Sequence, residues 1–504
     1  MSVAAPTVWT LKSARQGRVL TVGFLVVVLG PLFGLMAGQL ALANHASLVM
    51  VLVWFLLPIV SWRLPAGGIV LLAATALLFE QFPLGIADRA TEMVPLFKSF
   101  SASAGLGGLY VNPVEVMMST ILLTWVVRST VEGRLSLPRG QLAAGVGLMA
   151  LAVAMAEIHG MASGGDFKIS LWEVRPWLYL SLMYLLAAEL TTKRALLTGI
   201  LWTLVVTGGL KGVQAIYRYI VLRDAFPKPE TLLEHEEAVF FGLLLVLTLL
   251  LWLFNVRGRL RTVATLLAPL VLFANMVNQR RTAWIVLGVG IAVALALTWL
   301  RFPERRRSVN IAAVVLVLAS AAYLPLFWNS TNAVGEPAQA VKSAISPGQR
   351  DQSSDLYRVY ENYNLGVEIR QTTPLGAGFG RELVNTVHLP NLSKGDAFIL
   401  YIPHNQILYI WLRTGIPGAL AFWFLIGAAV VSAGRLARVR DPEYSLFGAL
   451  VVCALSAYLI EGWYDQGLTS FRVAILMGCL LGSVEAAHRL TRQQLHPEVA
   501  GVPG

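Results

Sequence analysis

The sequence predicts an all-α, polytopic membrane protein with about twelve to fourteen transmembrane helices. One long outer loop carrying short amphipathic helices interrupts them. Three observations predict this class. The 504 residues are 56% hydrophobic and only 13% charged, against about 25% charged in soluble domains. Several runs, among them VLTVGFLVVVLGPLFGLMAGQL (19–40) and AVFFGLLLVLTLLLWLF (238–254), approach or reach the roughly 20 apolar residues that cross a bilayer. Alternating strands of about ten residues, the mark of a membrane β-barrel, are not found.

In chain order the expected spans are 19–40, 46–62, 66–82, 112–128, 141–158, 174–191 and 195–217. They continue at 238–255, 262–278, 282–300, 309–328, 415–434, 445–462 and 468–487. Basic residues test this order. With the N-terminus inside, the inner connections collect Arg63; Arg128, Arg134 and Arg139; Lys193 and Arg194; and Arg257, Arg259 and Arg261. They also collect Arg301 and Arg305 to Arg307, then Arg435, Arg438 and Arg440, with Arg489 and Arg492 after the last span. The pattern follows the positive-inside rule and puts both termini in the cytoplasm. The net charge of +11 therefore reflects topology rather than nucleic-acid binding. Lys12, Arg15 and Arg18 precede the first run, which is long enough to span and lacks a clear cleavage site. Cys453 and Cys479 fall inside spans and read as buried apolar thiols.

These spans divide the chain into helices 1–11 (1–328), an outer loop (329–414), and C-terminal helices with a cytoplasmic tail (415–504). Roughly 85 loop residues without a span are uncommon and usually functional. Within the loop, SSDLYRVYENYNLGVEIR (353–370) has a cap-like start, and Leu356, Tyr360, Tyr363 and Val367 recur at helical spacing. An amphipathic helix lying on the membrane face is expected. TTPLGAGFGRE (372–382) reads as a glycine turn. IPHNQILYIWLRTGIPG (402–418) reads as a short surface helix, 405–413, whose Gly-Ile-Pro-Gly turn leads into the next span.

Four groups could carry chemistry. Arg280 and Arg281, in NQRRTAWIVL (278–287), sit between two spans on the outer side, where charge is costly and usually functional. The plainer reading is snorkelling to the interface. Arg358 lies on the amphipathic helix among tyrosines, where a lipid-headgroup contact competes with a substrate role; Arg370 and Arg381 are rival loop cations. Gly376, Gly378 and Gly380 permit close backbone approach and positive φ, but no strand–helix unit makes them a dinucleotide fingerprint. His404 and Asn405 stand at a helix start, where a structural hydrogen bonder competes with a general base. Glu234, His235, Glu236 and Glu237 read as a solvated helix start. Glu461 and Asp465 either bind a sugar hydroxyl or cap a turn. H-E-x-x-H, P-loop, Cys/His zinc and D-x-D patterns are all missing.

The arrangement is more specific than any one residue. His404, Asn405, Leu408, Gly415 and Gly418, preceded by P-L-G-A-G-F-G (374–380), Arg358 and an R-x-A-W that opens a span at Arg281, resemble the O-antigen ligase and polymerase superfamily of bacterial envelope enzymes. The resemblance carries specific motifs over roughly 275–435. It implies a multi-pass protein of the bacterial inner membrane with its active site in the periplasm. It also implies a glycosyltransferase, free of metal and nucleotide sugar, that takes a glycan from undecaprenyl pyrophosphate. A ligase passes it to a lipid A core sugar; a polymerase passes it to a growing, carrier-linked polysaccharide. Carried over by position, Arg281 and Arg358 hold the pyrophosphate and His404 acts on the acceptor hydroxyl. Arg280, Asn405, Gly378, Gly380, Tyr357 and Arg370 complete the candidate substrate-binding set. Direct displacement would invert the anomeric configuration.

A transporter or flippase is the alternative from another class, and a non-catalytic envelope assembly protein a third. Transporters often carry internal repeats around a midplane site. Here no repeat is evident, and the notable polar groups gather at one outer face.

Overall fold

The computed structural model describes residues 57–495 other than 58, 83, 85–90, 93, 104–107, 109, 134, 224, 226–230, 331 and 390–396. The expected span 19–40, most of 46–62, and the basic residues before them lie outside the described residues. Besides a single helical turn at Phe100–Ser103, the α-helices are α1 (Pro65–Leu78), α2 (Pro113–Val131), α3 (Gln141–Ala162), α4 (Phe167–Leu190), α5 (Arg194–Val221) and α6 (Glu237–Leu253). There follow α7 (Arg259–Val277), α8 (Arg281–Arg301), α9 (Arg306–Phe327), α10 (Glu336–Ile345) and α11 (Gln349–Gln371). The last are α12 (Gln406–Leu436), α13 (Pro442–Tyr464) and α14 (Phe471–Leu495). No strand occurs among the described residues. Nine of these helices are long and apolar enough to cross a membrane, and α1 and α6 are shorter apolar helices. The chain is an all-α polytopic membrane protein. Each expected span from 66–82 onward meets a helix, α1 to α9 or α12 to α14.

Local chemistry sets the boundaries. Asn112 caps α2 in a capping box with Glu115, and Pro113 occupies the first turn, where a missing N–H costs nothing. Asp166 caps α4 and Asp441 caps α13. In the bundle α14 packs along α4, and α12 along α3; α13 touches α12, α8, α6 and α14. Gly478 and Gly482 of α14 face the α4 backbone at Leu180 and Tyr184 with no room for a Cβ, the small-residue device that lets membrane helices approach closely. Cys453 and Cys479 are buried and unpaired. By contrast, Val309 alone is buried on α9, so α9 offers apolar surface all round.

The two ends of the bundle differ in character. At one end the basic connections meet: Arg194 pairs with Asp441 and Glu443, both at 2.8 Å, Arg301 donates to the Val439 carbonyl at 3.2 Å, and Arg489 to Ala188 at 2.6 Å. At the other end the connection between α9 and α12 folds over the helices. Its glycine segment is sewn to the start of α12. Ala377 N–H donates to Leu412 (2.7 Å), Gly378 N–H to Arg413 (3.1 Å), and Ile416 N–H to Pro374 (2.9 Å). Gly415 interrupts α12 at φ 65°, ψ −163°, so 406–414 and 416–436 are two helical pieces. The expected short helix and the break at Gly415 are both present, but the helix is not on the surface: Gln406, Tyr409, Ile410, Leu412 and Arg413 are buried.

Fully buried Arg413 pairs with Glu173 of α4 at 2.9 Å. It also donates to the carbonyls of Gly378, Arg381 and Tyr401. Glu173 additionally accepts from the Tyr409 hydroxyl at 2.6 Å and from the Gly380 N–H. One ion pair thus fastens the loop to the helices.

At Gly415 an added Cβ would overlap the Pro374 carbonyl at a positive φ. Gly415→Ala is therefore expected to cost on the order of 3 kcal/mol, read as a lowered unfolding midpoint in detergent. Gly427→Ala, which meets nothing within 4 Å, should stay within about 0.5 kcal/mol. Arg413→Met orphans a buried carboxylate and should cost roughly 3–5 kcal/mol. The double variant Glu173→Gln/Arg413→Met should recover part of that loss in the same measurement.

Candidate active site

The turn between α7 and α8 delivers the first cations. Asn278 is buried and its Oδ1 accepts from the N–H groups of Leu232 and Leu233 at 3.2 and 2.8 Å. Gln279 follows in the left-handed region (φ 54°). That reversal leaves Arg280 at the N-cap of α8 and Arg281 at its first position. Arg281 reaches α11, where it pairs with Asp355 at 3.2 Å, 74 residues away in sequence. Arg358 lies one turn further along α11.

Arg280, Arg281 and Arg358 line one cavity of ≈ 300 Å³, with Thr231, Ser354 and Asp465 among its other walls. The expected arginines therefore converge, and both Arg280 and Arg281 face the space. Asp465, just past α13, is central to the charge balance. It meets His235 Nδ1 at 2.8 Å and accepts from the Gln466 N–H at 2.9 Å. Burial alone would raise its pKa. The charge and hydrogen bond of His235, then the charges of Arg280 and His404, hold it well below the usual carboxylate range.

Helix α11 turns its polar side inward. Asn364 and Glu368 hold the segment beneath it through Val387 and Val384, and Glu361 is buried beside them. The apolar positions Leu356, Tyr360 and Tyr363 are exposed, leaving the face expected to meet the membrane uncovered. Glu361 accepts from the His404 backbone N–H at 3.1 Å and touches His404 Nδ1 at 3.2 and 3.3 Å through its two oxygens. A carboxylate only accepts, so Nδ1 carries the proton and Nε2 keeps a lone pair. The Tyr357 ring stands edge-on to the imidazole at 5.8 Å. Burial opposes the charged imidazole. The Glu361 hydrogen bond and charge, with Asp465, nevertheless raise its pKa above the ordinary value, against Arg358. Burial and Glu361 push the Tyr357 phenol up to about 12.

His404 does not line the arginine cavity itself. It stands beside it, within the electrostatic reach of Asp465 and Arg358. Asp465 also walls a second cavity of ≈ 410 Å³, shared with Ile402, Trp172, Phe398, Glu236 and Glu461.

Other expected positions lie elsewhere. Asn405 is buried and caps α12, its Oδ1 accepting from the Leu408 N–H at 3.2 Å. Gly378 and Gly380, expected against substrate, approach protein backbone instead: a Cβ would overlap Gly160 and Asp166 respectively. Arg370 is exposed near the far end of α11, roughly 18 Å along the axis from Arg358 at 1.5 Å per residue. Glu234, Glu236 and Glu237 are not a solvated helix start. They are buried, because Arg472 of α14 pairs with Glu234 at 2.7 Å and Glu237 at 2.6 Å. The sequence does not single out Glu361, whose only signal is its place on the helical face of Tyr357 and Arg358. For Asp465 the sequence leaves site and cap equally open. Among the described residues no group of three or more His, Cys, Asp or Glu side chains is arranged to hold a metal ion.

Residues 266–423 match the family described as O-Antigen ligase. The chain is similar to the O-antigen ligase superfamily. A curated O-antigen ligase of Salmonella typhimurium is 24% identical over 240 residues, which cover 46% of this chain and 55% of that protein. The match thus spans about half the length of the ligase. The family-matched residues 266–423 contain Arg280, Arg281, Arg358, Glu361 and His404. Trp172, Glu461 and Asp465 lie outside that range.

In an NMR titration of labelled histidine, His404 is expected to titrate above an ordinary imidazole, and Glu361→Gln to lower that value. A raised native pKa fixes the sign of the linkage. The pair contributes its stabilisation fully below the unfolded imidazole pKa and loses it as pH rises through the native His404 pKa.

Proposed function

We propose that the chain is an O-antigen ligase-like glycosyltransferase of the bacterial inner membrane. It moves a glycan from undecaprenyl pyrophosphate to a sugar hydroxyl at the periplasmic face. The observation that carries this reading is the convergence of Arg280, Arg281 and Arg358 on one cavity, with the Glu361-held imidazole of His404 beside it. In this reading the connection 329–414 is a periplasmic unit over the membrane, and the Arg-rich connections face the cytoplasm.

The chemistry follows from the residues. A lipid pyrophosphate leaving group accumulates negative charge on its bridging oxygen as the anomeric bond breaks. Planar guanidinium groups bind phosphate oxygens two at a time and stay charged. Arg281 and Arg358 are held on α8 and α11 and need little reorganisation to meet that charge. The acceptor is a neutral hydroxyl and needs a base. His404 Nε2 takes its proton, the hydroxyl oxygen attacks the anomeric carbon from the face opposite the phosphate, and the anomeric C–O bond breaks with its electrons passing to the pyrophosphate. A single displacement inverts the anomeric configuration. The imidazolium that forms lies against Glu361 and near Asp465, whose charges stabilise it. Base catalysis needs the neutral ring, so transfer should rise with pH through the His404 pKa.

The test supplies the purified chain with an undecaprenyl-pyrophosphate-linked glycan and two acceptors, a lipid A core glycolipid and a second carrier-linked repeat. His404→Ala should lower transfer by about 10²–10⁴-fold. Arg281→Ala and Arg358→Ala should abolish or severely reduce it with folding intact. The product should carry the inverted linkage by NMR. Undiminished transfer in His404→Ala removes the base, and a retained linkage removes the single displacement. The acceptor consumed separates a ligase from a polymerase.

A further inference from the structure

Two cavities meet at Asp465, and they differ in chemistry. The first is walled by three arginines. The second, ≈ 410 Å³ in volume, has no Lys or Arg among the described residues of its wall, which carries Glu234, Glu236, Glu461 and Asp465 with a single imidazole, His235. Its volume falls in the usual range for small-molecule sites. Aromatic rings complete it: Trp172 and Phe398 pack with centroids 4.8 Å apart, and Phe82 stacks on Trp172 at 5.8 Å.

Glu461 gives the observation that points to a ligand. It is 1% exposed and lines this cavity. Its Oε2 has no hydrogen-bond partner among the described residues. A buried carboxyl oxygen without a partner is costly, and a hydroxyl group placed in the cavity would satisfy it. Glu234 and Glu237 are paired with Arg472, whereas Glu461 lines the cavity with its Oε2 unpartnered among the described residues. Aromatic faces, negative at their centre, suit the C–H face of a pyranose; carboxyl oxygens suit its hydroxyl edge. Ile402 in this wall and the shared Asp465 bring the cavity to His404.

We infer that this carboxyl- and aromatic-lined cavity is the acceptor subsite, and that it takes an uncharged or amino sugar while rejecting uronic acids and phosphorylated sugars. The inference rests on the transferase reading for the word acceptor, but the sugar selectivity rests on the cavity alone. Charge sorts the two substrates. Anionic pyrophosphate goes to the arginines; a neutral polyol goes to the carboxyls, where a second anion would meet Asp465 and Glu236. The sorting also fixes which hydroxyl reacts, the one nearest Asp465 and His404.

The experiment uses the full chain in lipid nanodiscs with two soluble probes, methyl β-glucoside and its charged isostere methyl β-glucuronide. Saturation-transfer NMR should detect the glucoside, and the glucuronide should bind at least about tenfold more weakly. Trp172→Ala and the isosteric Glu461→Gln should each weaken glucoside binding by about tenfold, while Arg281→Ala leaves it unchanged. In transfer assays Glu461→Gln should raise the acceptor KM and leave the donor KM within about twofold. Equal binding of the two probes, no glucoside binding, or binding indifferent to both substitutions overturns the inference. A rise in donor KM alone also overturns it and makes the cavity the seat of the donor glycan. A wild-type chain that binds the glucoside selectively yet never transfers a glycan defeats the transferase reading and leaves the sugar cavity standing.

Discussion

The buried Glu173–Arg413 pair is the constraint on which the end of the bundle carrying the α9–α12 connection depends. Neither charge can reach water, and desolvating either without the other would cost several kcal/mol. Their remaining hydrogen-bonding capacity must also be used inside the protein, and the glycine loop uses it. Arg413 takes the carbonyls of Gly378, Arg381 and Tyr401; Glu173 takes the Gly380 N–H and the Tyr409 hydroxyl. The pair therefore fixes the loop at both ends of its path, after the glycines and just before Ile402-Pro403-His404. The position of the imidazole follows from a charge balance made inside the bundle.

A second consequence concerns α11. A surface helix would ordinarily bury its apolar side and show its polar side to water. Here the reverse holds, with Glu361, Asn364 and Glu368 against protein and Leu356, Tyr360 and Tyr363 uncovered. The inward polar face is fully employed, since each of these side chains holds backbone or His404. The outward apolar face suits a helix resting at a membrane boundary. Both ends of the proposed reaction are thus carried by one helix, Arg358 toward the leaving group and Glu361 toward the base.

The helices were legible because membrane spans announce themselves by length and apolarity, whereas caps such as Asn112 and Asp441 emerge only in the structure. Arg280 and Arg281 were legible because charged groups at the end of an apolar run are costly; Arg358 and His404 stood out only through the motif order that carries the resemblance. Their convergence was not, since Arg281 meets α11 only across 74 residues of chain. Glu361 resembles any other helix carboxylate until His404, 43 residues on, lands against it. The glycines of PLGAGFG signalled close approach correctly, but spacing cannot say what is approached, and the answer is Gly160 and Asp166. The Glu234–Glu237 run read as solvated because its neutralising cation, Arg472, lies 238 residues from Glu234. Sequence patterns report local cost, whereas partners come from topology.

Asp465 looks misplaced beside a cavity proposed for phosphate, since it subtracts positive charge. Its environment explains the choice. His235, Arg280 and His404 hold it ionised despite burial, so it remains a fixed negative charge throughout the proposed reaction. Without it, three guanidinium groups would line one cavity with an imidazolium beside it, and their repulsion would favour loss of the imidazole proton. With it, the proton that His404 takes from the acceptor is retained on a ring faced by two carboxylates, one on α11 and one at the end of α13. The arginines retain net positive charge for the leaving group. Stabilising cations for one partner and a proton-retaining pocket for the other are opposite electrostatic demands, and one carboxylate at the junction of the two cavities keeps them apart.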